Sequence, residues 1–227
     1  MPQTFAELQS NSNSTSQVHK ALAGVAFLAP ASAAVVTSLT ETDGSIKTLP
    51  AEYIPVGLVS KDGYEFSSDT DTETVEALGY VTPVREDVTS RTREVTFECY
   101  EVFRRPLLEL AYGVDLSSVT PGTNGEVSFS HPTTPVNRDY RLLIIAKDGA
   151  GADEIYRAKL FPRVVLSELD EEVWNAEDAM SFKVTLRAMA DATLGTAEVD
   201  MIGGPGVKKA ELGVVGHEVL DTRAGLR

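Results

Sequence analysis

Apolar and polar residues alternate along much of the chain, which is the pattern expected of half-buried β-strands. The clearest run lies in residues 89–101, where Val95, Phe97 and Cys99 share one face and the residues between them are charged or hydroxyl-bearing. Similar runs predict further strands at residues 24–30, 35–37, 53–59, 126–130, 140–147, 154–169, 180–188 and 196–201. Turn-forming residues separate these runs. The chain is therefore predicted to be mainly β.

The second half of the chain predicts a long hairpin and a third neighbouring strand. The glycines and aspartates of residues 148–153 suggest the hairpin turn, and Pro162 requires a bulge or an edge position in the strand that follows. Residues 154–169 and 180–188 are predicted to be antiparallel neighbours with basic outward faces. Their cations, among them Arg157, Lys159, Lys183 and Arg187, are expected to pair with carboxylates.

One short helix is predicted at about residues 104–112. Apolar residues recur there at three- and four-residue spacing, Pro106 is tolerated only in a first helical turn, and Gly113 suits a C-terminal cap. One helix among many strands predicts a β-sandwich or a partly closed barrel. Edge strands left unpaired in such a sheet are either blocked or used between chains, and ring assembly is one way to close them.

The predicted domain covers residues 21–202 and carries two flexible arms. Residues 1–20 include a Ser/Asn/Gln tract that buries too little apolar area to order itself, and residues 203–227 follow a glycine-rich hinge. Residues 61–78 are polar and acidic, which indicates a long exposed loop or an extended hairpin. Residues 168–178 are predicted to form a second acidic loop. This loop contains Trp174, the only tryptophan, which is expected either to fill a gap in the core or to anchor an interface.

Charge argues against tight binding to nucleic acid. The chain has 20 basic and 34 acidic residues and a formal net charge of −14, and an acidic surface repels phosphate. On composition alone, the simpler explanation of this charge is that it keeps an abundant protein soluble. No apolar run reaches the ~20 residues that a membrane-spanning helix needs. The N-terminus lacks the basic start of a signal peptide, so synthesis in a cytoplasm is expected.

No enzyme, metal site or cofactor is expected. The single cysteine, Cys99, excludes an intrachain disulfide and is predicted to be a buried hydrophobe, and no histidine stands in a catalytic motif with it. The acidic run that starts at Asp69 lacks the sixth-position glycine of a calcium loop, and Tyr80 occupies the twelfth position. The glycines and lysines of residues 203–209 lack phosphate-loop spacing and favour a hinge.

Several segments, taken in order, resemble a known family of phage proteins. They are the strand and turn of residues 56–63, residues 76–90, the strand of residues 95–99, the helix that ends at Gly113 and the strand entry at residues 177–182. Their order and spacing are similar to those of the major tail tube proteins of long-tailed, non-contractile bacteriophages that infect actinobacteria. The resemblance covers residues 24–201, and their shared order carries it.

The resemblance implies a virion structural protein that is assembled in the host cytoplasm. Such subunits form hexameric rings that stack along the tail, and their strands join into one closed inner barrel that conducts the genome. Self-association, tape-measure, tail terminator and tail-tip proteins are the implied partners, with only transient contact to double-stranded DNA and none to a membrane. No appended immunoglobulin-like domain is expected.

Contacts between stacked or neighbouring subunits are expected in the two acidic loops and in both arms. The candidate contact residues are Asp62, Glu65, Phe66, Asp69, Asp71, Glu73, Glu76, Glu168, Asp170, Glu171 and Trp174. Deleting residues 67–74 should abolish tube elongation and leave a folded monomer. The alternative functions are a head-decoration or head–tail connector protein and, less well supported, a carbohydrate-binding sandwich.

Overall fold

The computed structural model describes residues 4–134, 136 and 138–207, and the fold is mainly β as predicted. Its helices and strands are α1 (Phe5–Ser12), β1 (Ala23–Pro30), β2 (Ile54–Pro55), β3 (Val59–Val75), β4 (Arg85–Cys99), α2 (Arg105–Tyr112), β5 (Tyr140–Asp148), β6 (Ile155–Leu169), β7 (Phe182–Ala188) and β8 (Val199–Gly203). None of the helices in the described residues is long and apolar enough to cross a membrane.

The eight strands form one antiparallel sheet in the order β2-β1-β5-β6-β7-β4-β3, with β8 also paired to β6. The predicted hairpin is β5 with β6, and the predicted neighbour of β6 is β7. Leu142 lies opposite Phe161 and Tyr140 lies opposite Val164, so Pro162 falls inside a bulge. The bulge removes the need for a ladder hydrogen bond from proline, which confirms the expectation.

Two hydrophobic cores lie on opposite faces of this sheet, and β5 serves both. Leu142 and Ile144 belong to the core under α2, whereas Leu143 and Ile145 belong to the core that residues 31–53 cover. A strand buried on both faces carries a continuous apolar run, which is why β5 does not alternate. The first core also holds Val95, Phe97 and Cys99 of β4, as their alternation predicted.

The sheet is open but curled, so that the start of its last strand, β3, approaches β1. Residues 54–59 bridge the edges: Val56 N donates to Ala26 O of β1 at 3.0 Å, and Tyr100 N, just after β4, donates to Leu58 O at 2.9 Å. The Tyr64 ring of β3 lies against β1 at Gly24, where an added Cβ would come within 3.0 Å of Tyr64 Cε2. Glycine at this position allows the edges to approach.

Two predicted strands are wrong, because residues 35–37 and 126–130 are irregular chain. Alternating apolar residues show that one side of a segment is buried, but they do not show that the segment pairs with another strand. Residues 35–37 are partly buried because they cover the second core, and they have no strand partner. The predicted strand at residues 53–59 is interrupted, since only Ile54–Pro55 and Val59 belong to strands. The predicted flexible arm, residues 1–20, contains α1. Thr4 and Glu7 form a capping box that begins α1, a local signal that the polar composition hid.

The predicted helix at residues 104–112 is confirmed as α2. Pro106 lies in its first turn, and Gly113 ends it in the left-handed conformation with φ of 64°. Leu107 and Leu110 of α2 are buried in the first core. Of the predicted C-terminal arm, residues 208–227 lie outside the described residues, so its role stays a prediction.

Candidate assembly surfaces

A β-ribbon extends from the body where the sequence predicted a long loop or hairpin. β4 pairs with β7 only from Arg93 to Cys99, and residues 69–92 of β3, β4 and their connection extend beyond that point. This ribbon is exposed throughout except at Ala77 and Thr92, which are half-buried. Its paired part is roughly 20 Å long at ~3.4 Å per residue. The hairpin alternative is therefore confirmed, and the loop alternative is wrong.

The two faces of the ribbon differ in chemistry. Side chains alternate along a strand, so Asp69, Asp71 and Glu73 of β3 lie on one face together with Glu65 at the ribbon's root. The opposite face carries threonine hydroxyls from β3, opposite which Arg91 supplies a cation. One face is thus an acidic row, and the other is mostly neutral and hydrogen-bonding.

The outer edge of β3 has no strand partner in the part of the chain that the structure describes. β3 is the last strand of the sheet and pairs with β4 alone. A long unpaired edge is a template for pairing with another chain, and charged side chains along such an edge discourage indiscriminate pairing. The β3 edge therefore has both the means to join a neighbour and a barrier against random association.

A cluster of charged side chains fixes the root of the ribbon. Lys159 of β6 donates to Glu198 and lies 3.0 Å from Asp200 Oδ1, and Arg93 Nε of β4 lies 3.2 Å from Glu198 Oε2. Lys159 Nζ also lies 5.2 Å from the centre of the Phe66 ring, a cation–π geometry. These contacts join β3, β4, β6 and the chain entering β8 at the point where the ribbon leaves the body.

The candidate residue Phe66 helps to fix this root as well. Its ring stacks on Phe161 of the first core with centroids 6.2 Å apart. Phe66 therefore holds the start of the ribbon, although part of its side chain is still accessible to a neighbour. Sequence reasoning missed Glu198 and Asp200, because their contacts depend on the register between β6 and β8.

The basic rows of β6 and β7 are paired with carboxylates, as expected. Arg187 Nε lies 3.0 Å from Glu94 Oε1, and Lys183 Nζ lies 3.1 Å from Asp170 Oδ2. The hydrogen bond with Asp170 raises the pKa of Lys183. Asp170, a predicted contact residue, is therefore already paired within its own chain.

The second acidic loop lies at the other end of the subunit. Trp174 is 75% exposed, which excludes the core-plug interpretation and leaves that of an interface anchor. Its Nε1 donates to Glu172 Oε1 at 2.8 Å, and the Tyr112 hydroxyl of α2 donates to Glu172 Oε2 at 3.0 Å. Glu172 thus ties the loop to α2.

The predicted contact residues form two separate groups. Seven of them lie in one hairpin: Asp62, Glu65, Phe66, Asp69, Asp71, Glu73 and Glu76. The other four, Glu168, Asp170, Glu171 and Trp174, lie where β6 ends and the acidic loop follows. The ribbon leaves the body at Arg93 of β4 and the acidic loop lies near the end of β4 at Cys99, which is roughly 20 Å away along the strand.

The N-terminal segment is anchored at the ribbon end of the subunit. Lys20 N and His19 Nδ1 each lie 3.1 Å from Asp148 Oδ2, and Leu22 N donates to Lys147 O at 2.9 Å. The backbone hydrogen bond from Lys20 is the main cause of the lowered pKa of Asp148. Just before this anchor, Gln17 lines a pocket together with Ile155 and Arg157 of β6.

Cys99 is fully buried and is chemically inert in this setting. Burial, helped by the nearby carboxylates of Glu101 and Glu98, raises the pKa of its thiol to about 12. A thiol must ionise to act as a nucleophile. Among the residues that the structure describes, no group of three or more His, Cys, Asp or Glu side chains converges on a possible metal position.

The fold is a mainly β subunit with an exposed ribbon at one end and an exposed acidic loop with Trp174 at the other. The chain belongs to the phage tail tube protein family, whose family model matches residues 11–202. It is thereby a structural protein of a virion tail. The resemblance seen in the sequence is confirmed at the level of this family, whereas the actinobacterial host and the non-contractile tail type stay predictions.

Two solved structures align with this chain at low sequence identity. One is a chain of the sheath–tube complex of PVC, an extracellular contractile injection system, in the extended state. It is 14% identical to this chain and has a TM-score of 0.38, and the alignment covers 85% of this chain and 99% of the PVC chain. An Hcp protein is 11% identical, with a TM-score of 0.31 over 80% of this chain and 98% of that chain. No curated protein matches the sequence significantly.

Proposed function

We propose that this chain forms hexameric rings that stack into the tube of a phage tail, and that the tube conducts the genome into the host cell. The observation that carries the proposal, beside the family match, is the ribbon of residues 69–92, which is exposed on both faces and continues a strand with a free edge. A two-stranded ribbon is at best marginally stable alone in water. Contacts with neighbouring subunits would supply the missing stabilisation.

Identical subunits can close the free β3 edge when each edge meets the next copy around a ring. Such head-to-tail contacts form a closed ring when the rotation from one copy to the next is a whole-number fraction of a full turn. The ribbon then reaches an adjacent ring from one end of the subunit, and the acidic loop with Trp174 meets the ring on the opposite side. Tape-measure, terminator and tail-tip proteins are the further partners that this role requires.

The charge of the subunit suits a conduit for DNA. Six copies carry six times −14, or −84 formal charges per ring. The cations of β6 and β7 described above are engaged in ion pairs, so they add little free positive charge to a wall. A wall of net negative charge repels phosphate and lets the polymer slide.

A truncated ribbon tests the proposal. Ser68 pairs with Arg93, so replacing residues 69–92 by Asn-Gly joins β3 to β4 through a two-residue turn and keeps Arg93 beside Glu198. No fully buried side chain is removed, so we expect an unchanged melting temperature. We expect tube elongation, followed by electron microscopy, to be lost.

A charge-matched variant is the control. The truncation removes six carboxylates and two arginines, a change of four negative charges, and E41Q/E52Q/E126Q/D153N removes the same four charges at exposed carboxylates outside the candidate contact residues, with the ribbon intact. We expect this control to elongate tubes. Normal tubes from the truncated chain would refute the role of the ribbon.

A further inference from the structure

An apolar groove lies open at the acidic-loop end of the subunit. It has a volume of about 890 Å³ and is formed by α2, residues 116–129 and the chain that enters β7. Its aromatic lining includes Phe103, Tyr112, Phe129 and Trp174. Phe103 is 83% exposed and Trp174 is 75% exposed. Contiguous exposed aromatic surface of this kind marks an interaction site.

The N-terminal helix α1 presents a complementary surface. Phe5 and Leu8 stand three residues apart, so they share one helical face, and they are 78% and 48% exposed. None of the residues of α1 is buried, and the Thr4–Glu7 capping box holds its first turn. The helix is thus formed before it has any partner for its apolar face, which lowers the entropic cost of docking.

In the described part of the chain, α1 does not line the groove of its own subunit. The chain is fixed at Lys20 beside Asp148, and with α1 and the 3₁₀ turn at residues 15–17 intact, Phe5 extends about 32 Å from that anchor. The groove begins near Phe182, beyond the far end of β6, and β6 alone is about 45 Å long when measured along its 15 residues. The anchor and the groove therefore face opposite ends of the subunit.

We propose that the groove binds α1 of a second copy of this chain, with Phe5 and Leu8 seated among Phe103, Tyr112 and Trp174. The inference rests on the proposed stacking, because stacking brings the anchored end of one copy to the groove end of the next. It assigns Trp174 the role of an interface anchor. It also explains why α1 is helical although it contacts little of its own subunit.

A peptide of residues 1–20 tests the docking without any need for tubes. Trp174 is the only tryptophan, so the fluorescence of the full-length protein reports on the groove alone. We expect the peptide to shift the emission to shorter wavelength in a saturable manner and to protect Trp174 from acrylamide. Phe5→Ser with Leu8→Ser in the peptide should weaken binding at least about tenfold, because two buried apolar side chains are lost.

The matched control peptide carries Ala6→Ser and Asn11→Ser, which leave the apolar face intact, and should bind like the natural sequence. Equal binding by all three peptides, or no binding at millimolar concentration, would overturn the inference. In assembled tubes, benzoylphenylalanine at position 5 should cross-link to the groove of a different copy, shown with mixed isotope-labelled subunits. Cross-links from position 5 to another surface, or occupation of the groove by residues 208–227, would also overturn it. Absence of tubes from the unmodified chain would instead contradict the proposed function.

Discussion

The charged cluster at the root of the ribbon gives a quantitative prediction. Glu198 holds both Lys159 and Arg93, and the side chains of Lys159 and Glu198 are only 17% and 16% exposed. In the Glu198→Gln variant, Lys159 keeps Asp200 at 3.0 Å, whereas Arg93 loses its charged partner. The expected loss lies between that of an exposed pair, up to ~1 kcal/mol, and that of a buried pair, ~3–5 kcal/mol.

We therefore expect Glu198→Gln to lower the free energy of unfolding by about 2 kcal/mol, and the melting temperature by ~4–8 °C for a chain of this size. Urea unfolding followed by circular dichroism measures the first, and calorimetry measures the second. Asp87→Asn is the matched control: it breaks the exposed Arg85–Asp87 pair, whose side chains are 69% and 49% exposed. It should cost less than about 0.5 kcal/mol.

A double variant separates loss of an ion pair from loss of packing. Arg93→Met with Glu198→Leu removes both charges of the Arg93–Glu198 pair and leaves Lys159 beside Asp200, so it should recover part of the stability that Glu198→Gln loses. Amide hydrogen exchange at the ribbon root should be fastest in Glu198→Gln and slower in the double variant. A Glu198→Gln variant as stable as the Asp87→Asn control would refute the view that this cluster fixes the ribbon.

Two further predictions concern single side chains. Cys99, whose thiol pKa burial raises to about 12, should not react with a thiol reagent at pH 8 in the folded protein and should react fully in denaturant; rapid labelling of the native protein would contradict its burial. The Asp148 carboxylate has a pKa below its ordinary value of 3.8 because of the hydrogen bond from Lys20, so it stabilises the N-terminal anchor above that pH and loses this effect as the pH falls through the lowered value. Asp148→Asn should therefore raise the rate of tryptic cleavage after Lys20 at neutral pH, and an unchanged rate would show that the anchor does not depend on this carboxylate.

The sequence predicted the fold best at positions where a short local pattern allows only one structure. Alternation located Val95, Phe97 and Cys99 in the core, and Pro162 required the bulge. Gly113 ended the helix in the left-handed conformation, which favours glycine. Each of these signals depends on a few consecutive residues. Each was therefore readable without knowledge of the tertiary contacts.

The ribbon and the cluster at its root required information that the sequence does not hold locally. A ribbon exposed on both faces has no apolar period, so its polar composition fits a loop and a hairpin equally well. The partners of Lys159 lie 39 and 41 residues away, and only the register of β6 with β8 brings them together. The groove that contains Trp174 is likewise assembled from three separated segments, and no local pattern marks it.

Electron microscopy of the purified chain over a range of concentrations, together with its size distribution in solution, tests the central proposal most directly. The account predicts six-fold rings that stack into hollow tubes as the concentration rises. A stable trimer, or single rings that never stack at any concentration, would contradict it and favour a head-decoration or connector protein.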